Sequence, residues 1–307
     1  MSPALHAWLQ ASRLPSQAYL FLPLLLGQVL AWYFTGQWSW VVFVLVQLFG
    51  LFDQLYIVYA NDVADEATDR DNATPTLYSG GSRVLVEGVL AAATLLRAAW
   101  VMAGLAVAST VMIGVLAGHW LPLPLGLVGI ALLWAYSFPP LKLSYRGGGE
   151  WLQTLGLGMV LPLLAFSAQA GDLRGFPWEV FAVLLPLNLA TAIATALPDQ
   201  PSDARADKRT LVVVHGLGPA RRFILVLAAG ALALHGFYAA ELLLIGDVAA
   251  RWVLAVPVAS LLLAAAIHLR AEPGTRTMNA FLFLVILTHL AYLAGLAWVL
   301  LRPLGQL

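Results

Sequence analysis

The 307-residue chain is 61% hydrophobic and only 10% charged, with 16 Lys and Arg balanced by 16 Asp and Glu. Soluble domains average about 45–50% apolar and about 25% charged residues, so an ordinary soluble globule and a disordered chain are both excluded, and the composition belongs in a bilayer. The lack of a basic excess leaves nucleic acid without a footprint, and the absence of cysteine rules out disulfides, thiolate metal sites and cysteine nucleophiles.

In chain order, residues 1–14 set Leu5, Trp8, Leu9 and Leu14 at roughly helical spacing, which fits a short interfacial helix or a frayed tail. Arg13 is the first base and no small-residue cleavage site follows, so the segment does not read as a cleaved signal. A membrane span needs about 20 mostly apolar residues, because every backbone polar group must be satisfied within the helix. Nine stretches fit: Tyr19 to Phe34, Trp40 to Ala60, Ala93 to Gly118, Leu121 to Tyr136, Leu152 to Ala170, Val180 to Leu197, Phe223 to Ile245, Val253 to Leu269 and Phe281 to Leu301. The fourth is short and interrupted or flanked by Pro122, Pro124, Pro139 and Pro140. The expected fold is therefore all-α, a polytopic bundle of nine transmembrane helices forming one integral-membrane domain over residues 1–307.

Lys and Arg accumulate in cytoplasmic loops. With the N-terminus inside, 13 of the 16 bases fall on one face, leaving only Arg174, Arg251 and Arg302 on the other. This bias predicts a cytoplasmic N-terminus in the inner (plasma) membrane and, with nine spans, an external C-terminus.

The second span ends in Asn61-Asp62-Val63-Ala64-Asp65-Glu66-Ala67-Thr68-Asp69, and the sixth in Asp199-Gln200-Pro201-Ser202-Asp203-Ala204-Arg205-Ala206-Asp207. Residues three or four apart share a helix face, so Asp62, Asp65 and Asp69 form one carboxylate stripe, and Asp199, Asp203 and Asp207 a second. Six of the 16 acids stand in these stripes. Like charges at that spacing repel and call for a cation, and oxygen-only ligands favour a hard ion, Mg2+ or else Mn2+. Asn61, Asp65 and Asp69 recur 138 positions later as Asp199, Asp203 and Asp207, which points to two pseudo-repeated four-helix halves plus a ninth helix.

Polar residues continue both stripes inward, Asp53 and Gln54 under the first and Asn188, Thr191 and Thr195 under the second; such groups are costly in lipid and should face a cavity. Bases gather nearby. Lys142 and Arg146 follow the fourth span, Lys208 and Arg209 follow the second stripe, and Arg83 follows Gly80-Gly81-Ser82, whose glycines let backbone amides approach an anion. Carboxylates that hold Mg2+, next to cations and amides that hold phosphate oxygens, make a diphosphate site, with Asp207 completing the second stripe.

Asn61 to Asp69 reads NDxxDxxxD, and Asp199 to Asp207 reads DxxxDxxxD followed by Lys-Arg-Thr-Leu. The pair resembles the two signatures of the UbiA superfamily of intramembrane prenyltransferases, nine-helix proteins that join a prenyl diphosphate to an aromatic or other lipophilic acceptor. The resemblance implies that Asn61, Asp62, Asp65, Asp69, Asp199 and Asp203 are ligands of Mg2+ and diphosphate, with Lys142, Arg209 and Arg13 as diphosphate partners. Tyr145 to Glu150 is similar to the YRGxGE segment of 1,4-dihydroxy-2-naphthoate prenyltransferases of menaquinone synthesis. The double proline within Tyr136 to Lys142 is closer to the 4-hydroxybenzoate branch, so the aromatic acceptor stays open.

On this reading Mg2+ and the cations neutralise a departing diphosphate, and an electron-rich ring captures the allylic cation without a protein nucleophile. Tyr136, and Tyr56 or Trp134, could face that cation at about 0.5–2 kcal/mol each, although Trp134 reads better as membrane packing. The polyprenyl tail, at about 0.8 kcal/mol per buried CH2, is expected in an apolar groove open to membrane lipid. Two rivals remain, a terpene cyclase on the same fold and a divalent-cation transporter. The transporter would need acids near mid-helix on several spans, where Asp53 and Glu241 are the main ones. His235 and His289 form no metal pair by spacing and read as packed, hydrogen-bonded histidines.

Overall fold

A computed structural model describes residues 2–73, 75–76, 79–242 and 247–301, with side chains described outside 237–242 and 247–251. Tyr78, Arg302, the end of the seventh expected span and the side chains of Glu241 and Arg251 lie outside the described residues.

Ser2 accepts from the Leu5 amide at 3.3 Å and caps α1 (Pro3–Ala11), while Trp8 packs edge to face on Tyr59 with centroids 5.7 Å apart. Of the two readings of this segment the helix is the one that forms, and it packs on the bundle. The chain continues through α2 (Ala18–Thr35), α3 (Trp40–Ala64), the short α4 (Glu66–Arg70), α5 (Ala92–Ala117), α6 (Pro122–Ser137) and α7 (Leu143–Arg146). Then come α8 (Gly149–Leu155), a π turn at Gly156–Val160 and α9 (Leu161–Ala170), which stack as one crossing element. The second half adds α10 (Phe181–Ala196), α11 (Gln200–Arg205), α12 (Leu211–His215), α13 (Leu217–Leu242), α14 (Asp247–Ile267) and α15 (Arg276–Leu300).

Among the described residues, eight helical stretches are long and apolar enough to cross a membrane. The expected nine include α6, which has 16 residues. At 1.5 Å per residue that is about 24 Å, short of a hydrocarbon core of about 30 Å, so by length it does not reach the count.

The two halves pack in corresponding ways. α3 lies on α5 and α10 on α13, while α2 lies on α9 across the join and α15 touches both α2 and α10. Gly27 permits the α2–α9 contact: a Cβ there would come 2.8 Å from the Ala165 Cβ and would run into the Pro162 carbonyl. The larger core, including Leu26, Phe166, Leu184 and Phe281, fills the space between α2, α9, α10 and α15. A smaller one, including Tyr59, Val84 and Leu95, ties α1, α3 and α5 to the loop after α4.

Candidate active site

The first acidic segment begins in the last turn of α3, and the second just beyond the end of α10. Asp65 leaves helical geometry at φ −102, ψ 6, so the first stripe bends from α3 into α4. In the second, α11 ends at Arg205 and Asp207 stands beyond it at φ 54. Asp207 therefore leaves the face expected for three aspartates, because the helix terminates before reaching it, and its side chain is exposed.

Lys208 joins the two segments. Its Nζ lies 3.0 Å from Asp65 Oδ1 and 3.4 Å from Asp203 Oδ1. Burial alone would lower its pKa, but the charges of Asp65 and Asp203 outweigh that and raise it, so the ammonium stays charged. The Tyr145 hydroxyl donates to Asp65 at 3.1 Å and lies 2.9 Å from the Thr68 hydroxyl, while Lys142 Nζ sits 3.6 Å over the Tyr145 ring.

The loop after α4 supplies the remaining partners. Asn72 Nδ2 donates to Asp199 at 2.7 Å and the Gly80 amide donates to its other oxygen at 3.1 Å. Asp62 accepts from the Ser82 amide at 3.2 Å and from its hydroxyl, and pairs with the Arg13 guanidinium. The amides that the glycines were expected to turn toward an anion thus turn toward carboxylates. Gly81 is at φ 72, and a Cβ there would strike the Asp69 carboxylate, so only glycine fits.

Burial and then the charge of Asp65 push Asp69 up to about 7, with Arg13 pulling the other way. Burial lifts Asp203 to about 6 against the pull of Lys208, and raises Asp199 as well. Carboxylates crowded and desolvated in this way lower their energy by taking up a proton or a cation. Among the described residues, no group of three or more histidine, aspartate or glutamate side chains is gathered closely enough to hold a metal ion by itself.

These groups crown a cavity of about 700 Å3. Arg13, Asn61, Asp65, Asp69, Asp199 and Asp203 line its polar end, while Leu132, Leu133, Leu157 and Leu161 line its apolar part. Asp53, Gln54 and Tyr136 also face it. Among the described residues, the non-glycine positions with positive φ are Arg13, Arg83, Lys142 and Asp207, all four of them expected site residues. A left-handed backbone at such residues costs about 1–3 kcal/mol each and persists where surrounding structure imposes it.

The sequence profile of the UbiA prenyltransferase family matches residues 20–287. The chain belongs to the UbiA prenyltransferase family. It is 28% identical over 200 residues to the 1,4-dihydroxy-2-naphthoate octaprenyltransferase of Bacillus subtilis, covering 64% of this chain and 61% of that protein. The match thus spans about three-fifths of that relative's length. In fold it resembles a UbiA homolog from Aeropyrum pernix, with a TM-score of 0.69 and 19% identity over 91% of this chain and 96% of that one. A UbiA homolog from Archaeoglobus fulgidus solved with GPP and Mg2+ superposes with a TM-score of 0.65, at 19% identity over 95% of this chain and all of that one, 100%.

In this UbiA-family chain the expected site residues divide. Arg83 and Lys208 line the cavity with the acids, and Arg83 donates to the Asp69 carbonyl at 2.5 Å. Asp62 lies behind the lining, held by Arg13 and Ser82. Lys142, Arg146, Asp207 and Arg209 are not among the described lining residues; the Arg209 amide instead donates to the Tyr145 carbonyl at 3.1 Å. Of the inward polar residues, Asp53, Gln54 and Thr195 face the cavity, whereas Asn188 donates to the Leu184 carbonyl and Thr191 meets His289 at 3.1 Å. His235 pairs with Tyr292 at 3.0 Å, a packed histidine as expected. Trp134 stacks on Phe138 at 4.3 Å, and Tyr56 bonds the Ile130 carbonyl outside the cavity lining.

Sequence reasoning missed Asn72, Ser82, Tyr145 and Glu150 as site residues. Glu150 is buried, lines the cavity and accepts from the Leu211 amide at 2.7 Å, tying α8 to α12. The signal was present: Tyr145 and Glu150 bound the quoted YRGxGE segment, and Ser82 lies in the glycine loop.

Proposed function

We propose that this chain transfers a prenyl group from a polyprenyl diphosphate to 1,4-dihydroxy-2-naphthoate inside the membrane, with Mg2+ held between its two acidic segments and the diphosphate taken from the cytoplasmic side. The observation that carries the proposal is Lys208 bridging Asp65 and Asp203 at the polar end of a cavity whose far part is apolar. That arrangement suits a substrate with an anionic head and a hydrocarbon tail.

The donor set fits the ion. Asp65, Asp69, Asp199 and Asp203 offer only hard oxygen, and Mg2+ is commonly held by one or two carboxylates together with substrate phosphates. When bound, Mg2+ supplies neutralisation of the charge that builds on a departing diphosphate. Lys208 and Arg13 add fixed positive charge beside that position, and the carboxylates keep both cations oriented. Tyr136 lines the cavity, where an aromatic π face stabilises positive charge on an allylic carbon. The leucine walls exclude water that would otherwise capture that carbon. The acceptor assignment is supported by the name of the Bacillus subtilis relative and by the Tyr145 to Glu150 segment.

The test is purified protein with Mg2+ and a labelled polyprenyl diphosphate, supplied with 1,4-dihydroxy-2-naphthoate, with 4-hydroxybenzoate or with no acceptor, and read by product mass. A prenylated naphthoate product, lost in excess chelator, is expected. Product only with 4-hydroxybenzoate moves the acceptor, a cyclised hydrocarbon without acceptor makes the chain a cyclase, and no product rejects transfer. Sidedness is checked with Ala73→Cys and Arg174→Cys, both at exposed positions in a chain without cysteine. In intact cells an impermeant thiol reagent should label only the second; the reverse pattern would overturn the cytoplasmic site.

A further inference from the structure

Asp53 sits at the middle of α3, is 3% exposed, and faces the cavity. Among the described residues its buried Oδ1 has no hydrogen-bond partner. The neighbouring polar groups are engaged elsewhere: Gln54 Nε2 donates to the Ser16 hydroxyl at 2.7 Å, Ser16 donates to the Arg13 carbonyl at 2.7 Å, and the Tyr56 hydroxyl donates to Ile130. A buried carboxyl left without a donor costs free energy, and at membrane depth such a group marks a site for a ligand.

Asp53 lies eight residues before Asn61 on the same helix, about 12 Å along its axis from the end that carries the acids. That distance places it too far along α3 to share a cation with Asp65 or Asp203, yet within the same cavity. A polyprenyl chain carries no hydrogen-bond donor, so lying against Asp53 it would bury a bare carboxyl beside hydrocarbon. The leucines at 132, 133, 157 and 161, contributed by α6, the π turn and α9, give the tail an apolar wall instead. What Asp53 lacks is a donor.

Building on the prenyl-transfer reading above, we infer that Asp53 is the acceptor-recognition residue, accepting a hydrogen bond from a phenolic hydroxyl of the aromatic acceptor. An acceptor that also bears a carboxylate turns that group toward Arg13 at the polar end, since the guanidinium attracts it and the buried Asp53 offers it no cation. The hydroxyl remote from the carboxylate is then the one that Asp53 reads. The pairing orients the ring in the cavity and selects a hydroxylated ring edge over an alkylated or anionic one.

The experiment compares wild type, Asp53→Asn and Asp53→Leu in steady-state prenyl transfer with 1,4-dihydroxy-2-naphthoate and with its analogue methylated at the remote hydroxyl, each with Mg2+ and a polyprenyl diphosphate. Wild type should favour the free phenol over the ether by about tenfold or more, the range for leaving a buried polar group without its hydrogen-bond partner. Asp53→Leu should reduce that preference to near unity and raise the acceptor KM while the diphosphate KM stays within about twofold. Asp53→Asn keeps the shape and serves if the leucine variant does not fold; its acceptor KM should rise with thermal stability retained. Equal use of phenol and ether by wild type, an unchanged acceptor KM in the variants, or an equal rise in both KM values overturns the inference while leaving prenyl transfer standing. No product from wild type with either acceptor sinks both.

Discussion

In the first half Asp62 is held by Arg13 and Ser82, residues of that same half, whereas in the second half Asp199 is held by Asn72 and the Gly80 amide, both from the other half. The exchange runs in the other direction too: Lys208 of the second half returns to Asp65 of the first, and Arg205 donates to the Asp71 carbonyl at 2.7 Å. The two acidic segments look alike in sequence, yet Asp62 is held locally while Asp65 and Asp199 gain partners only by closure of the halves. A site assembled across a join is sensitive to every contact that crosses it.

The sharpest way to break this comparison is to remove one acid from each half. Asp65→Ala and Asp203→Ala should each lower turnover by at least about 100-fold, the scale for losing a preorganised charge partner, with the protein still inserted. Near-normal rates in one variant would show that its half only solvates a helix end. Next in size is Lys208→Ala. Removing one member of a buried ion pair costs about 3–5 kcal/mol, so the thermal midpoint of cation-free protein should fall, and added Mg2+ should recover much of the loss.

The pH dependence tests the crowding itself. Asp69 and Asp203 rise from 3.8 to about 7 and about 6. Groups raised in this way contribute stability below their unfolded pKa and lose it as pH climbs through 6 and 7. The cation-free protein should therefore melt lower at pH 8 than at pH 5.5, and the rise in midpoint caused by Mg2+ should be larger at pH 8. Equal Mg2+ shifts at the two values would mean that these carboxylates do not meet the ion.

Smaller effects separate the loop from the stripe. Gly81→Ala forces a side chain into the Asp69 carboxylate at φ 72, so the Mg2+ concentration for half-maximal activity should rise about tenfold at a stability cost of about 1 kcal/mol. Asp207→Asn should change turnover by no more than about twofold, as for an ordinary exposed position. A large loss there would return Asp207 to the site from which the end of α11 removes it.

Much of this site was readable from the chain alone. The apolar stretches, their charge asymmetry and the two acidic segments follow from transfer free energies and helical spacing, which act locally along the sequence. That is why Asp65, Asp69, Asp199, Asp203 and Lys208 could be named before any fold was known. Helix spacing misled at Asp207 because the helix stops two residues earlier, and at Asn188 and Thr191 because a polar residue in a helix can satisfy itself on its own backbone or on a neighbouring helix as readily as face a cavity.

What tertiary structure alone decided is which group meets which. No local rule pairs Asn72 with Asp199 across 127 residues, or sets Tyr145 on Asp65 across 80. Nor does any local rule divide the bases into those that line the cavity, such as Lys208, and those that stand outside it, such as Arg146 and Arg209. Composition and periodicity determined that this chain inserts in a membrane and carries two acidic helix ends. Packing of the whole bundle, in which α2 and α9 meet closely at Gly27, sets both ends over one cavity, because long-range pairing depends on the shape of the bundle and not on any single helix.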